Sequence, residues 1–375
     1  MEGQSADMTD VVPRGASATD ERAAEQGVEQ SAPMRQGDLR GQDGRTDPKR
    51  VIVDFDNTMG LPGCDVDDGL ALLYLLGCDN IQIEAVCTTY GNNTLAAVHE
   101  NTQRMMELFG LDVPLLRGVE APLALTDAQR GARPGSPSDA QPDEAPLIVA
   151  DRPRHAIDPA SAQGAAPRFI ADALTSQPDS LHILATGSTT NLGAAAVLRP
   201  EALGQAASIT LMGGVTESLA INGRIMDELN LSCDPVATCA VLASGARLAI
   251  ATSQNCLPAF FTRADLIDAF GEGSWLYRTC DHWFRTMDAA YDWHGWTCWD
   301  VVAAAFLAHP ELFCDHLEQV TLYERFIGVG YLECGNIGAP HAPVNLPTIR
   351  DAAAFKAHVV ETWHRGLVRV NTQTP

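Results

Sequence analysis

Val51-Ile52-Val53-Asp54-Phe55-Asp56 is the stretch at which the chain changes character. Three β-branched residues followed by alternating aspartate read as a short buried strand with an acidic carboxyl end. Beyond it, Gly69-Leu70-Ala71-Leu72-Leu73-Tyr74-Leu75-Leu76 reads as a buried helix and Ile81-Gln82-Ile83-Glu84-Ala85-Val86 as a second strand. Strand, helix and strand within roughly 35 residues predict a parallel crossover unit. The same alternation continues with a helix over 98–109 and a short strand over 113–116. After the irregular stretch 119–166 come a helix near 167–175 and strands over 181–185, 209–212 and 247–251. The fold class expected is α/β, an open, mostly parallel sheet with helices on both faces. In such a sheet the loops that follow the strands are the place to look for chemistry.

Outward from this core the chain is less regular. Residues 1–49 are rich in Gly, Gln, Asp, Arg and Ser and carry no periodic apolar face, so a disordered tail is expected there and a folded domain over 50–370. Residues 119–166 are rich in Pro, Ala, Gly and Asp, longer than an ordinary connection, and read as a mobile lid or a surface insertion. His155 within them reads as a surface residue.

Composition narrows the partners. The 375 residues include 25 basic and 48 acidic side chains, a net charge of −23, and Lys49 and Lys356 are the only lysines. No polybasic face is available to neutralise phosphates, so nucleic acid and anionic membranes are poor partners. No apolar run approaches the roughly 18 residues of a spanning helix, and the first residues do not resemble a secretory leader. A cytoplasmic protein is expected. The ten cysteines, at 64, 78, 87, 233, 239, 256, 280, 298, 314 and 334, form no CxxC pair and read as reduced, mostly buried thiols.

Five aspartates lie between the first strand and the first helix: Asp54, Asp56, Asp65, Asp67 and Asp68. Gathered in a small volume they repel one another, and a cation is the natural remedy. Hard oxygen donors without neighbouring His or Cys pairs favour Ca²⁺ or Mg²⁺ over zinc. The spacing is not that of an EF-hand loop. Helix capping by Asp67 and Asp68 accounts for one or two of these residues but not for five.

These residues resemble a known family. Asp54-Phe55-Asp56, then Gly63-Cys64-Asp65-Val66-Asp67-Asp68-Gly69-Leu70-Ala71-Leu72, is similar to the amino-terminal signature of the inosine–uridine preferring nucleoside hydrolases, with several extra residues between its halves. Further segments follow in the family's order: Tyr90-Gly91-Asn92, Ala185-Thr186-Gly187 with Thr190-Asn191-Leu192, Met212-Gly213-Gly214, Asn222 through Glu228-Leu229-Asn230 to Asp234-Pro235, and Trp299-Asp300. The resemblance runs from about residue 50 to 366. It implies a nucleoside hydrolase-like, Rossmann-related sheet, a bound Ca²⁺, a nucleoside or related riboside as substrate, and a homo-oligomer, dimer or tetramer.

Carried over by position, it implies that Asp56, Asp68, the Thr186 carbonyl and Asp300 hold the metal. Asp67 would hold ribose hydroxyls, with Asp65 able to share that role, and Asn92, Asn222, Glu228 and Asn230 would grip the rest of the sugar. Asp54 would be a support. Cleavage of an N-glycosidic bond passes through an oxocarbenium-like sugar that an acidic pocket stabilises, and Asp56 would take the proton of the attacking water. The departure from the family is Trp299, where many members carry a histidine that protonates the leaving base. His294 could stand in as the acid, or Trp293, Trp296 and Trp299 could stack on the base. Base preference stays open.

Two other readings compete. Val51 to Thr58 also resembles the first motif of haloacid dehalogenase-like phosphatases, but neither Lys49 nor Lys356 stands in the context such an enzyme requires. A calcium- and ribose-binding homologue without turnover is the other, motivated by Trp299.

Overall fold

The computed structural model describes residues 47–123, 159–336 and 338–373. The described residues belong to one unit that begins at Asp47. Most of the expected tail lies outside them, as do residues 124–158 with His155. The first strand, β1 (Lys49–Phe55), takes in Lys49, which the sequence reading had left in the tail.

Strand β1 sits in the middle of the sheet. Its alternating side chains enter two apolar layers: Val51, Val53 and Phe55 on one face, Ile52 on the other. Helix α1 (Asp67–Gly77) returns the chain to β2 (Ile81–Thr88), parallel to β1, and α2 (Leu95–Phe109) returns it to β3 (Leu115–Arg117), parallel to β2. The chain then comes back through α3 (Ala165–Ser176) to β4 (Leu181–Ala185), which pairs with the other edge of β1. Next are α4 (Thr190–Leu198), β5 (Ser208–Met212), a hairpin of β6 (Ala220–Ile221) and β7 (Arg224–Ile225), α5 (Pro235–Leu242) and β8 (Leu248–Ala251). The order continues with α6 (Ser253–Cys256), β9 (Phe260–Phe261), α7 (Arg263–Phe270), α8 (Trp275–Tyr291), β10 (Trp296–Thr297) and α9 (Trp299–Ala308). It closes with β11 (Phe313–Cys314), β12 (Leu317–Thr321), α10 (Glu324–Ile327), β13 (His341–Asn345), β14 (Thr348–Ile349) and α11 (Ala352–Gln373).

Eight strands form the main sheet in the order β12-β13-β8-β5-β4-β1-β2-β3, all parallel except the edge strand β12. The expected open α/β sheet is therefore present. Strands β2 and β3 are laid down on one side of β1, and β4, β5 and β8 on the other, so successive connections part at the carboxyl ends of β1 and β4. That divergence opens a crevice, the usual ligand position in sheets of this kind.

Local chemistry sets the boundaries. Helix α2 begins at Leu95, three residues before its expected start, because the Thr94 side chain accepts the Ala97 N–H; it stops at Gly110, which turns left-handed at φ 65°. The short strand expected over 113–116 begins two residues later, after Pro114, which has no N–H to give a ladder. Helix α1 is buried almost throughout because α9 and α11 cover the sides the sheet does not. All ten cysteines are free. No helix among the described residues is long and apolar enough to cross a membrane.

Candidate active site

Asp56 follows β1 directly into the crevice and has no exposed surface. Asn92, in the loop after β2, donates its backbone N–H to Asp56 Oδ2 at 2.5 Å and its side-chain amide to Oδ1 at 3.3 Å. A Cβ on Gly91 would lie 2.0 Å from that same Oδ2, so only glycine lets the loop come this close. Asp67 and Asp68 open α1. Thr186, after β4, donates its hydroxyl to Asp68 Oδ1 at 2.7 Å, and Asp300, in the first turn of α9, donates its N–H to Asp67 Oδ2 at 3.2 Å. Asp56, Asp67, Asp68, Thr186 and Asp300 are all buried. Residues 56, 68, 186 and 300, distant along the chain, thus meet at one end of the sheet. Asp65 joins them: its Oδ1 accepts the N–H groups of Val66 (2.6 Å) and Asp67 (3.2 Å), and its carboxyl hydrogen-bonds that of Asp67.

Burial dominates the electrostatics. It pushes Asp56 up to about 6 against the pull of the Asn92 N–H, and raises Asp65, Asp68 and Asp300 well above the ordinary carboxylate range. The charges of Asp56 and Asp67 raise Asp68 further, and those of Asp67 and Asp68 raise Asp300. Contact with the Asp68 carboxyl draws Asp56 part of the way back, while contact with Asp67 raises Asp65 further. Among the described residues no three His, Cys, Asp or Glu side chains surround one metal-sized position. Asp68 Oδ2 is nonetheless buried without a hydrogen-bond partner, an arrangement that normally costs stability. The donors at hand are hard oxygens, which suit a hard divalent cation. The neighbouring thiols of Cys256 and Cys298 are held well above their usual range by burial and by Asp67, so they keep their protons and are poor ligands.

The residues expected to hold the sugar divide. Asn230 donates both amide protons, to the carbonyls of Thr186 (2.7 Å) and Met212 (3.1 Å), and so offers its Oδ1 purely as an acceptor. Glu228 accepts the N–H groups of Gly214 (3.0 Å), Leu231 (2.8 Å) and Ser232 (2.8 Å), knotting the loop after β5 to the segment 228–232. Asn92 grips Asp56 instead of standing free. Asn222, in the β6–β7 turn at φ 49°, is exposed, and its amide donates to the carbonyls of Tyr291 (3.0 Å) and Asp292 (2.7 Å) at the end of α8. Arg224 bonds the carbonyls of Ala289 and Ala290 beside them.

The segment before Asp300, where the leaving base is expected, is aromatic. Trp299, adjacent to Asp300, is buried, its ring centroid 6.0 Å from that of Trp293, which in turn lies 5.5 Å from Phe260. Trp296 does not belong to this row. It is wholly buried against Phe284 (5.0 Å) and Phe261 (5.9 Å), so it is a core residue and unavailable for stacking. His294 lies on the surface with 75 % of its side chain exposed, beside Asp292 (3.3 Å) and Asp288 (3.8 Å). Neither partner belongs to the buried cluster.

Behind the site lie Asp54, expected as a support, and residues to which the sequence assigns no role. Asp54 sends its side chain to Asn191 (2.8 Å) and is pushed up to about 7 by burial. Tyr90 bonds Thr190 (2.9 Å), which donates to Asp234 (2.9 Å), the N-cap of α5. Asp234-Pro235 is a capping signature that marks this end in the sequence.

An open parallel sheet with buried carboxylates at its switch point places the chain among the α/β proteins that take ligands in that crevice. The family model described as inosine-uridine preferring nucleoside hydrolase matches residues 51–374, and the chain belongs to that family of N-glycosyl hydrolases. An inosine-uridine preferring nucleoside hydrolase of Crithidia fasciculata is 31% identical over 195 residues, covering 51% of this chain and 55% of the relative. A probable uridine nucleosidase 2 of Arabidopsis thaliana is 26% identical, covering 66% and 71%. Among solved structures, the plant nucleoside hydrolase PpNRh1 superposes with a TM-score of 0.66 at 21% identity, covering 84% of this chain and 99% of its own. A purine-preferring ribonucleoside hydrolase from Gardnerella vaginalis gives 0.63 at 21%, covering 85% and 100%; both show a shared fold. The phosphatase reading falls here, and its two lysines are engaged elsewhere: Lys49 by the Leu307 carbonyl (2.6 Å) and Lys356 by Asp265 (2.9 Å).

Proposed function

We propose that this chain hydrolyses the N-glycosidic bond of ribonucleosides with Ca²⁺ bound by Asp56, Asp68, the Thr186 carbonyl and Asp300. The observation that supports the reading is the convergence of these buried residues near the sheet's switch point, with the Thr186 hydroxyl on Asp68, the Asp300 N–H on Asp67 and Asp68 Oδ2 left without a partner. When bound, calcium supplies positive charge that makes water more acidic and orients a sugar diol. Asp67, with Asp65 against it, accepts the ribose hydroxyls, while Asn230 Oδ1 and the remaining acceptor position of Glu228 hold the rest of the sugar. Asp56, fixed by Asn92 on both oxygens, takes the proton from water as its oxygen bonds the anomeric carbon. The bond to the base breaks with its electron pair leaving on the base nitrogen, and the surrounding carboxylates stabilise the positive sugar. Trp299 and Trp293 form an aromatic wall for the departing base.

The free cysteines favour a reducing, cytoplasmic setting, and the net charge of −23 disfavours nucleic acid as a partner. Family membership favours a dimer or tetramer. The test is a panel of purine and pyrimidine nucleosides, scoring ribose and base release with calcium and with chelator. Release that needs calcium, and that Asp68→Ala abolishes together with calcium binding by calorimetry, supports the assignment. Full activity of Asp68→Ala in chelator excludes this site, and tight ribose binding without base release indicates a binding protein.

A further inference from the structure

The loop between Asp56 and Asp67 is fastened at two places. At its base, Asn101 of α2 donates to the carbonyls of Asn57 (3.3 Å) and Met59 (3.0 Å), and the Thr58 hydroxyl donates to the Asp65 carbonyl at 2.9 Å. Toward its tip the chain turns through Gly60 (φ 98°) and Gly63 (φ 75°), a left-handed conformation that glycine adopts without strain. There the Gly63 N–H donates to Nδ1 of His282 on α8 at 2.9 Å. A Cβ on Gly63 would lie 3.7 Å from Thr286 Oγ1, one turn along, so the tip rests on this helix. Two residues further on, Asp65 makes its contact with Asp67.

We propose that His282 is a positioning residue of the sugar site: by accepting the Gly63 N–H it pins the loop to α8 and so holds Asp65 against Asp67. The proposal rests on the reading of Asp67 as the sugar-binding carboxylate. An acceptor at Nδ1 exists only on the neutral imidazole whose proton sits on Nε2. A second proton turns Nδ1 into a donor that faces a donor, and the contact opens. The base of the loop stays on α2 while its tip is released, and Asp65, still tethered through its carbonyl to Thr58, approaches Asp67 less tightly. The charged and titratable groups on the elements around His282 are Cys64 and Asp65 in the loop, Arg263, Asp265 and Asp268 on α7, and Tyr277, Arg278, Cys280, Asp281, Arg285, Asp288 and Tyr291 on α8. Asp281 is held by Arg263 (2.8 Å) and Arg285 (2.7 Å), and Arg278 bonds the Gly273 carbonyl, so these groups are already engaged.

Hydrogen–deuterium exchange of the peptide covering residues 60–66, read beside KM for a nucleoside in saturating calcium, tests this. Wild type is compared with His282→Asn, whose Oδ1 accepts but does not titrate, and with His282→Ala. At pH 8, wild type and the Asn variant should protect the loop equally and share a KM. In acid, where a doubly protonated imidazole cannot accept the Gly63 N–H, wild type alone should lose protection, with KM rising roughly two- to tenfold over the Asn variant and kcat little changed, the range expected for one hydrogen bond. The Ala variant should show the loosened loop and raised KM at both pH values. Equal protection of wild type and His282→Ala at pH 8 overturns the latch, and loop release without a KM change overturns its role in positioning. A wild-type protein that turns over no nucleoside sinks the hydrolase reading alone, while the exchange contrast still decides the latch.

Discussion

Asp56 owes its position to what is missing beside it. Gly91 brings the loop after β2 close enough for the Asn92 N–H and amide to grip both carboxylate oxygens, and any side chain at 91 would stand 2.0 Å from Asp56 Oδ2. Gly91→Ala must therefore move the carboxylate or the loop. A shift of about an ångström in a group that takes a proton costs on the order of a hundredfold in rate, so kcat should fall by about that much with the melting temperature little changed. Retention of wild-type kcat would show that Asp56 does not need this placement. The same residue illustrates what was legible. Asp56, Asp67 and Asp68 stand out because they are close in sequence and next to a strand end. Gly91 and the doubly gripping Asn92 stand 35 and 36 positions from Asp56, and no local pattern reports them.

At the scale of elements, α1 and α11 pack closely through glycine. A Cβ on Gly77 would lie 2.0 Å from the Thr362 carbonyl, and one on Gly366 would lie 2.4 Å from that of Leu73. Gly77→Ala should cost about 1–3 kcal/mol by overpacking, seen as a lower urea midpoint, while kcat well below the transition stays at the wild-type value because the sugar contacts proposed for α1 lie at its other end. An unchanged midpoint would mean that the helices separate freely. Elements also explain why the tryptophans could not be sorted in advance. Trp293, Trp296 and Trp299 recur every three residues, yet a short strand, β10, lies between the outer two and buries Trp296 against Phe261 and Phe284. Asn222, expected at the sugar, has partners that no local pattern reports: Tyr291 and Asp292 are about 70 residues away. The parallel sheet itself was readable because each buried strand is a compact apolar run followed by its own helix.

For the whole molecule, the buried carboxylates make stability depend on pH, and the proposed metal site adds a dependence on calcium. Asp56 at about 6 and Asp54 at about 7 sit above their unfolded values near 4, so between about pH 4 and 7 the folded state binds more protons than the unfolded one. Their contribution is present at low pH and fades as pH rises through that window. His182, held near 4 by burial, acts in the opposite sense, adding stability as pH rises from 4 toward 6.5. It lies on β4 beside Ser208 (2.8 Å), away from the cluster, so it affects chelated and calcium-loaded protein alike. Calorimetric scans should show a calcium-dependent rise in melting temperature that is larger at pH 7.5 than at pH 5. Identical scans with calcium and chelator at pH 7.5 would contradict the metal site. The β6–β7 hairpin carries a consequence of another sort. Two residues per strand cannot sustain a ribbon in water, so its shape is borrowed from the last turn of α8, whose carbonyls Asn222 and Arg224 cover. Fraying of that one helix end would slacken the hairpin and disturb the neighbouring Trp293 together, disarming the cleft while the sheet beneath it stayed intact.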